Sequence, residues 1–494
     1  SFSAEDIHVF GRHLVDTLPL VQRQDTGKAM ESYSLKAAAI HFGFASADRT
    51  YVAGDEIQGL WRSDPERLLA YARDDVMETE AVARLLTLPL FYQTQMVPMT
   101  YERLIGSGVT TRIEALFMRE HLRVGAAVPV PDPPREYSGG YTHTFIRGML
   151  KNVMYVDVHS LYPSIITAFG ICPAKDELQL VPRSVHALLS RRLQAKRMAF
   201  TEADPTERRR QLAISDSFKN VVNSIYGYLG FGAGIWNDPE QAERITAIGR
   251  DILAQIIQYV VQTGGQPIEA DTDGLYFVPP EQIKSPEQQE QYVRDLSATL
   301  PEGIEVGLQG TYDAMLSYAD KNYALLGHSG SVIIHGSALR SQGLEPYLRR
   351  FLKEAIGHML RGEFEKVIEL HREMNARIVN REAPIEWFVR SDKLRESLED
   401  YQRKVECGAR GRSAAYELAQ SCGGRFGSGD RIRYYFSGSG RVESPKLAEE
   451  FRADAPDYSI VRYMRRLDEM LEMLTPLFPP TLQNSLDGQL DLFG

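Results

Sequence analysis

Asp271 and Asp273 stand one residue apart in the stretch IEADTDGLYF (residues 268–277), and between residues 251 and 283 the chain has no Lys, Arg or His. Carboxylates this close repel each other unless they are solvated, paired with a base from elsewhere in the chain, or bound to a cation. Their hard oxygens suit Mg²⁺, although Asp and Gly are also ordinary residues of a solvated turn. Asp157 offers a third acid, directly after the apolar run Val153-Met154-Tyr155-Val156. If that strand end lies beside the turn, three acids converge with no local base, an arrangement suited to two-metal catalysis. Arg192 and Lys196, four apart, share one face of a helix. Lys219, Asn223 and Tyr226, spaced four and three apart, share a face of another. Such stripes could grip a polyphosphate or could be a solvated surface, and the latter is the reading for Arg208, Arg209 and Arg210. Acids that bind metals and bases that bind a polyphosphate together mean phosphoryl or nucleotidyl transfer.

These residues need particular elements to position them. Ile268 and Ala270 lead into a predicted β-hairpin and Leu275-Tyr276-Phe277-Val278 leads out. Helical patterns over 184–203 and 206–226, broken at Asp204-Pro205, predict an antiparallel helical hairpin. Residues 1–97 read as a small α/β unit and the Pro-rich 128–140 as a linker ending in a tight turn. A mixed α/β stretch runs to about residue 336; beyond it the pattern is mostly helical with a short strand at 431–436. The residues after Pro479-Pro480 read as a flexible tail. A chain of 494 residues, 43% hydrophobic and 25% charged, allows two to four globular domains. It contains no apolar run of membrane-spanning length and opens with no signal peptide. Cys172, Cys407 and Cys422 lack metal-ligand spacing, which suits a reducing cytoplasm. The net charge of −10 is unevenly spread: residues 401–442 hold eight bases against three acids, interspersed with glycines. That is either a surface for phosphates or a basic solvated face.

Three segments carry a family resemblance. Asp157 to Ile166 (DVHSLYPSII), Lys219 to Gly227 (KNVVNSIYG) and Asp271 to Gly274 (DTDG) resemble, in order and spacing, the polymerase motifs of family B DNA polymerases. Tyr137-Ser138-Gly139-Gly140-Tyr141 resembles the family's YxGG segment, and Lys321-Asn322-Tyr323 is similar to its KKxY motif. The resemblance implies an α/β and α+β multidomain fold, a right hand preceded by a partial RNase H-like exonuclease domain. The expected divisions are that remnant over 1–97, a linker and the start of the palm over 98–150, palm over 151–183 and 229–336, fingers over 184–228, thumb over 337–478, and a tail over 479–494.

The resemblance also implies roles. Asp157 and Asp273 would be the principal ligands of two Mg²⁺, with Mn²⁺ as a substitute, and Asp271 would support them. Arg192, Lys196, Lys219 and Asn223 would hold the triphosphate of a dNTP. Tyr162 would pack on the sugar and exclude a ribose, and Tyr226 would face the nascent pair; taken as residues alone, either could be core packing. Gly139 and Gly140 would admit the template, and Lys321 and Tyr323 would hold the primer end.

Two departures, Glu269 where the family has an aromatic and Asp320 in place of the first Lys of KKxY, should make the primer side more acidic and weaken duplex retention. Tyr71 and Asp75, in YARDDV, match the third exonuclease motif, while the first two would lie upstream of Ser1. Asp75 alone cannot run two-metal hydrolysis, so no proofreading is expected. Gln489-Leu490-Asp491-Leu492-Phe493 resembles the peptide by which bacterial polymerases dock on the sliding clamp, a tether that would offset a weak grip on DNA. A monomeric bacterial enzyme of the cytoplasm and nucleoid is implied, with primer–template DNA, dNTPs and the clamp as partners and replication, repair or lesion bypass as settings. The rival reading is a catalytically silent scaffold that binds DNA and clamp.

Overall fold

Runs rich in Val, Tyr, Phe and Leu, bounded by Gly, Pro and Asp, form the strands that carry the acids. The computed structural model describes residues 9–25, 30, 32–46, 48–52, 54, 56–340, 343–438, 442–480 and 482–483. The chain divides into two units: 1–139 with 159–251 and 301–304, and 140–158 with 252–300 and 305–494.

The described residues of the first unit are helical, with no strand among them. Asp64 opens the long helix Pro65–Gln93 by accepting from the Arg67 N–H, and Pro65 sits in its first turn, where a missing donor costs little. Asp204 caps Pro205–Leu229 by accepting from Thr206 and Glu207. Only residues 202–204 separate this helix from Leu180–Thr201, so the two form a helical hairpin where the sequence places one. Phe218, Val221, Val222, Ile225 and Leu229 make its buried stripe. Trp236 is fully buried edge-on to Phe117, and its indole N–H donates to His121 Nε2.

The expected α/β unit over residues 1–97, and with it a sheet-bearing RNase H-like remnant, is not found: among the described residues of this stretch there is no strand. The run at Tyr51-Val52 pairs with no strand among the described residues. Its flanking groups bind the helix Pro65–Gln93 instead, the Thr50 N–H donating to Asp74 and the Arg49 guanidinium reaching Asp75 and Glu78.

The second unit is built on a seven-stranded antiparallel sheet. Its strands are β1 (Thr142–Thr144), β2 (Gly148–Val158), β3 (Gln266–Asp271), β4 (Gly274–Val278), β5 (Val306–Ala319), β6 (Asn322–Leu326) and β7 (Val332–His335). Their spatial order is β1-β3-β4-β2-β5-β6-β7. Strands β3 and β4 are the predicted hairpin, and β2 lies between β4 and β5, with a register shift against β5 between Tyr155 and Val156. Val153, Ile268, Tyr276, Met315, Tyr323 and Leu325 pack on one face. A larger core joins Leu316 and Ala324 of the sheet to the helices Pro346–Leu360, Phe364–Val379 and Ile460–Leu474.

The stretch 337–478 is more than helices with one short strand. It holds a second sheet, β8 (Arg390–Lys393), β9 (Arg431–Gly438) and β10 (Glu443–Leu447), in the order β10-β9-β8. Leu394, Tyr401, Tyr416, Ile432 and Tyr434 form a core of their own beside it. The sequences of β8 (RSDK) and β10 (ESPKL) are polar and short, so no apolar alternation announces them.

Candidate active site

Pairing register brings the acids of the second unit together. Asp157 on β2 and Asp271 on β3 both lie opposite Gly274 of β4. Asp273 is in the turn between β3 and β4, where Thr272 takes a positive φ of 58° and the Asp273 N–H donates to the Asp271 carbonyl. The Val158 N–H donates to the Asp273 carbonyl at 2.8 Å, tying the turn to the end of β2. Burial, then the charges of Asp157 and Asp271, push the Asp273 carboxyl up to about 6. A cation between Asp157 and Asp273 would relieve that repulsion, and two acids with exclusively oxygen donors are the chemistry a Mg²⁺ site uses. Tyr155 Oη donates to Asp157 Oδ2 at 3.1 Å.

Of the options left open for the acids, Asp271 takes a base from elsewhere in the chain. Lys321 Nζ lies 2.9 Å from Asp271 Oδ1, so Asp271 already has a counter-ion, and Asp157 and Asp273 remain as the metal-binding candidates. Among the described residues no group of three or more His, Cys, Asp or Glu side chains is gathered for one metal ion. Lys321 comes from the β5–β6 turn, remote in sequence, and a local count of charges could not have found it.

That turn accounts for two further corrections. Glu269 does not make the surface more acidic: it is fully buried and accepts the Lys321 N–H at 2.7 Å, and burial first, then the charges of Asp271 and Asp320, push its carboxyl up to about 7 despite that bond. Asp320 is exposed and accepts from Thr144 Oγ1. Tyr323 is only 8% exposed, bonded through its hydroxyl to Tyr276 Oη at 3.1 Å and stacked on His335. Its hydroxyl is turned into the sheet core, so a grip on the primer end does not fit its position. The Lys321 ammonium is the exposed part of the motif.

The first unit carries the bases and the other tyrosines. Arg192 is half-buried and donates to Ser160 Oγ at 2.6 Å, while Lys196, Lys219 and Asn223 are exposed. Desolvation lowers the Arg192 guanidinium from its ordinary value, opposed by Asp216. Tyr162 and Tyr226 stack with ring centroids 4.1 Å apart, and both stay partly exposed. They are therefore packed on each other without being fully buried. Gly139 is exposed; its carbonyl accepts from Arg250, and a Cβ there would meet nothing. Gly140, also exposed, opens the second unit.

Asp75 accepts from Arg49 Nη2 at 2.6 Å, and Arg49 also holds Glu78 through Nε at 2.6 Å. The Arg49 guanidinium lies over the rings of Tyr51 and Tyr71, with Lys36 over the same two rings. The third-motif residues Tyr71 and Asp75 thus surround a buried arginine. The tail residues Gln489, Leu490, Leu492 and Phe493 lie outside the described residues. Sequence reasoning missed the part Tyr155 plays and placed Glu269 on the surface rather than in the core; the one signal for Tyr155 is its place two residues before Asp157, on the same strand face.

Comparison with known proteins shows which family this fold belongs to. A solved family B DNA polymerase from the hyperthermophilic archaeon Pyrobaculum calidifontis has the same fold, with a TM-score of 0.71 over 94% of this chain and 64% of that one, at 22% identity. The family model for DNA polymerase family B matches residues 174–463. The chain belongs to that family. The DNA polymerase of Thermococcus sp. (strain 9oN-7) is 25% identical over 446 residues, 80% of this chain, and DNA polymerase II of Escherichia coli (strain K12) is 24% identical over 507 residues, 91% of this chain. The chain spans 55% of the length of the first relative and 61% of the second. No helix of the described residues is long and apolar enough to cross a membrane.

Proposed function

We propose that the chain is a template-directed DNA polymerase that adds dNTPs to a primer 3′-OH. The observation that carries this reading is the closeness of Asp157, on β2 opposite Gly274, to Asp273 in the β3–β4 turn, with the turn tied to β2 by the Val158 N–H on the Asp273 carbonyl. Asp157 and Asp273 are the residues to hold two Mg²⁺ ions, which when bound lower the pKa of the primer hydroxyl and offset charge on the departing pyrophosphate. Arg192, Lys196, Lys219 and Asn223 bind the triphosphate, with Arg192 pre-set by Ser160. The stacked pair Tyr162 and Tyr226 receives the sugar and the nascent base pair. In terms of the right hand, the seven-stranded sheet is the palm, the helices Leu180–Thr201 and Pro205–Leu229 are the fingers, and residues 337–478 are the thumb.

The chain does not proofread on this reading. Arg49 sits on Asp75, the one carboxylate here that matches an exonuclease motif, and a guanidinium in that place competes with any metal. The tail 489–493 tethers the protein to a bacterial sliding clamp, and repair or lesion bypass is the setting that suits a polymerase without proofreading.

The test is an end-labelled primer–template incubated with Mg²⁺, with and without dNTPs, beside Asp157→Ala and Asp273→Ala. Extension that needs dNTPs and is lost in both variants, with the primer intact when dNTPs are withheld, is expected. Tight DNA binding without extension in the unaltered chain would replace this reading with a scaffold. Deleting residues 489–493 should remove stimulation by clamp and leave basal synthesis.

A further inference from the structure

Asp157 has a neighbour to which the family roles assign nothing. Tyr155 stands two residues earlier on β2, so the two side chains leave the same face of the strand, and Tyr155 Oη donates to Asp157 Oδ2 at 3.1 Å. The ring is held from several sides. It stacks on Tyr276 with centroids 4.2 Å apart and planes 13° from parallel. Tyr276 is fixed in turn by the hydroxyl of Tyr323, and Tyr323 by its stack on His335. Gly274 leaves the space the ring occupies, for a Cβ there would lie 2.6 Å from Tyr155 Cε2 and 2.6 Å from its Oη.

A phenylalanine would fill the same volume and make the same stack. What the tyrosine adds is one hydroxyl, placed on one oxygen of an acid that must keep a fixed orientation. A carboxylate at a strand end has free rotation about its last bond, and a donor held by packed rings removes that freedom.

We propose that Tyr155 is a positioning residue for the nucleotidyl transfer, its hydroxyl fixing the plane of the Asp157 carboxylate for divalent-cation binding; this rests on the polymerase reading above. The site therefore includes a layer behind the acids: Tyr155 on Asp157, Tyr276 under Tyr155, and Gly274 making room for the Tyr155 ring.

The test compares the unaltered chain with Tyr155→Phe, which keeps the ring and the stack, and with Tyr292→Phe, which removes a different hydroxyl of the same unit, one bonded to Thr263. Three quantities are measured: kcat against Mg²⁺ concentration in primer extension, KM for dNTP, and Mn²⁺ binding without DNA, by the magnetic-resonance signal of the free ion. In Tyr155→Phe, kcat should fall roughly 10- to 100-fold. The half-saturating Mg²⁺ should rise and Mn²⁺ binding weaken about tenfold, with KM for dNTP little changed. Tyr292→Phe should change none of these. Equal metal dependence in Tyr155→Phe and the unaltered chain overturns the proposal, as does an equal loss in both variants. If the unaltered chain extends no primer, the polymerase reading falls separately, and the Mn²⁺ comparison still decides the role of Tyr155: weaker binding upholds it and equal binding overturns it.

Discussion

Lys321 is held at both ends: the Glu269 carboxylate accepts its backbone N–H at 2.7 Å, and its ammonium reaches Asp271 at 2.9 Å. The residue takes a positive φ of 59° to do so, in a turn whose other side is fixed by Thr144 on Asp320. A cation prearranged beside the acidic turn has two uses. It screens Asp271 from the neighbouring acids, and on the proposed reading it offers a positive charge to the phosphate of the primer end.

Lys321→Met removes that charge and exposes Asp271 to any approaching phosphate. Affinity for primer–template should fall several-fold at low salt, with the slope of log affinity against log salt reduced by about one. A fluorescence-anisotropy titration over a range of salt reads both. An unchanged slope would mean that Lys321 serves Asp271 alone.

Glu269 gives the fold a pH dependence. Its carboxyl is raised from an ordinary 4.5 to about 7 in the folded chain, which therefore holds a proton that the unfolded chain releases between those values. Stability from this group is present in full below about 4.5 and is lost as pH rises through about 7. Asp273, also raised, acts in the same direction. Glu269→Gln keeps an acceptor for the Lys321 N–H and cannot ionise, so it should stabilise the chain at pH 8 by about 2 kcal/mol and have little effect at pH 5. Urea midpoints at the two pH values, compared between variant and unaltered chain, isolate Glu269 from Asp273.

Arg49→Met should be among the costliest single changes in the N-terminal helices. It leaves Glu78 buried and Asp75 part-buried without their shared cation, a loss of about 3–5 kcal/mol for a broken buried pair. Thermal melting and proteolysis of the first hundred residues report the damage. Primer degradation should stay absent, because Asp75, part-buried, does not alone make a two-metal hydrolase.

Tyr162→Ala should open the stacked pair and admit ribonucleotides. Discrimination between dATP and rATP, taken as a ratio of kcat/KM values, should fall at least tenfold, while Mg²⁺ dependence stays as it was. A preserved ratio would assign the Tyr162–Tyr226 stack to packing alone.

What could be read in the sequence was what neighbouring residues decide together. The β3–β4 hairpin follows from alternation on either side of Asp-Thr-Asp-Gly, and the helical pair from the Asp204-Pro205 break. Asp157 could be placed at a strand end because the apolar run before it is continuous. Partners supplied by distant strands could not be read. The Lys321–Asp271 pair, the burial of Glu269 and the Tyr276–Tyr323 bond all depend on the β5–β6 turn meeting β3 and β4, which no local pattern encodes. Residues 1–97 misled for a related reason: short apolar runs suggest strands, yet in the described residues they lie on helices whose Val21, Ala38 and Val82 share a small core.

Arg49 has a consequence for handling the protein. Paired carboxylates occur in both units, at Asp75 and Glu78 and at Asp157 and Asp273, and each pair needs positive charge. In the first the charge is a side chain of the chain itself, which EDTA cannot extract. In the second, on the proposed reading, it is an ion drawn from solution. Chelation should therefore silence synthesis while the N-terminal helices keep their melting temperature, so protein stored without metal would recover its activity on adding Mg²⁺, with no refolding step.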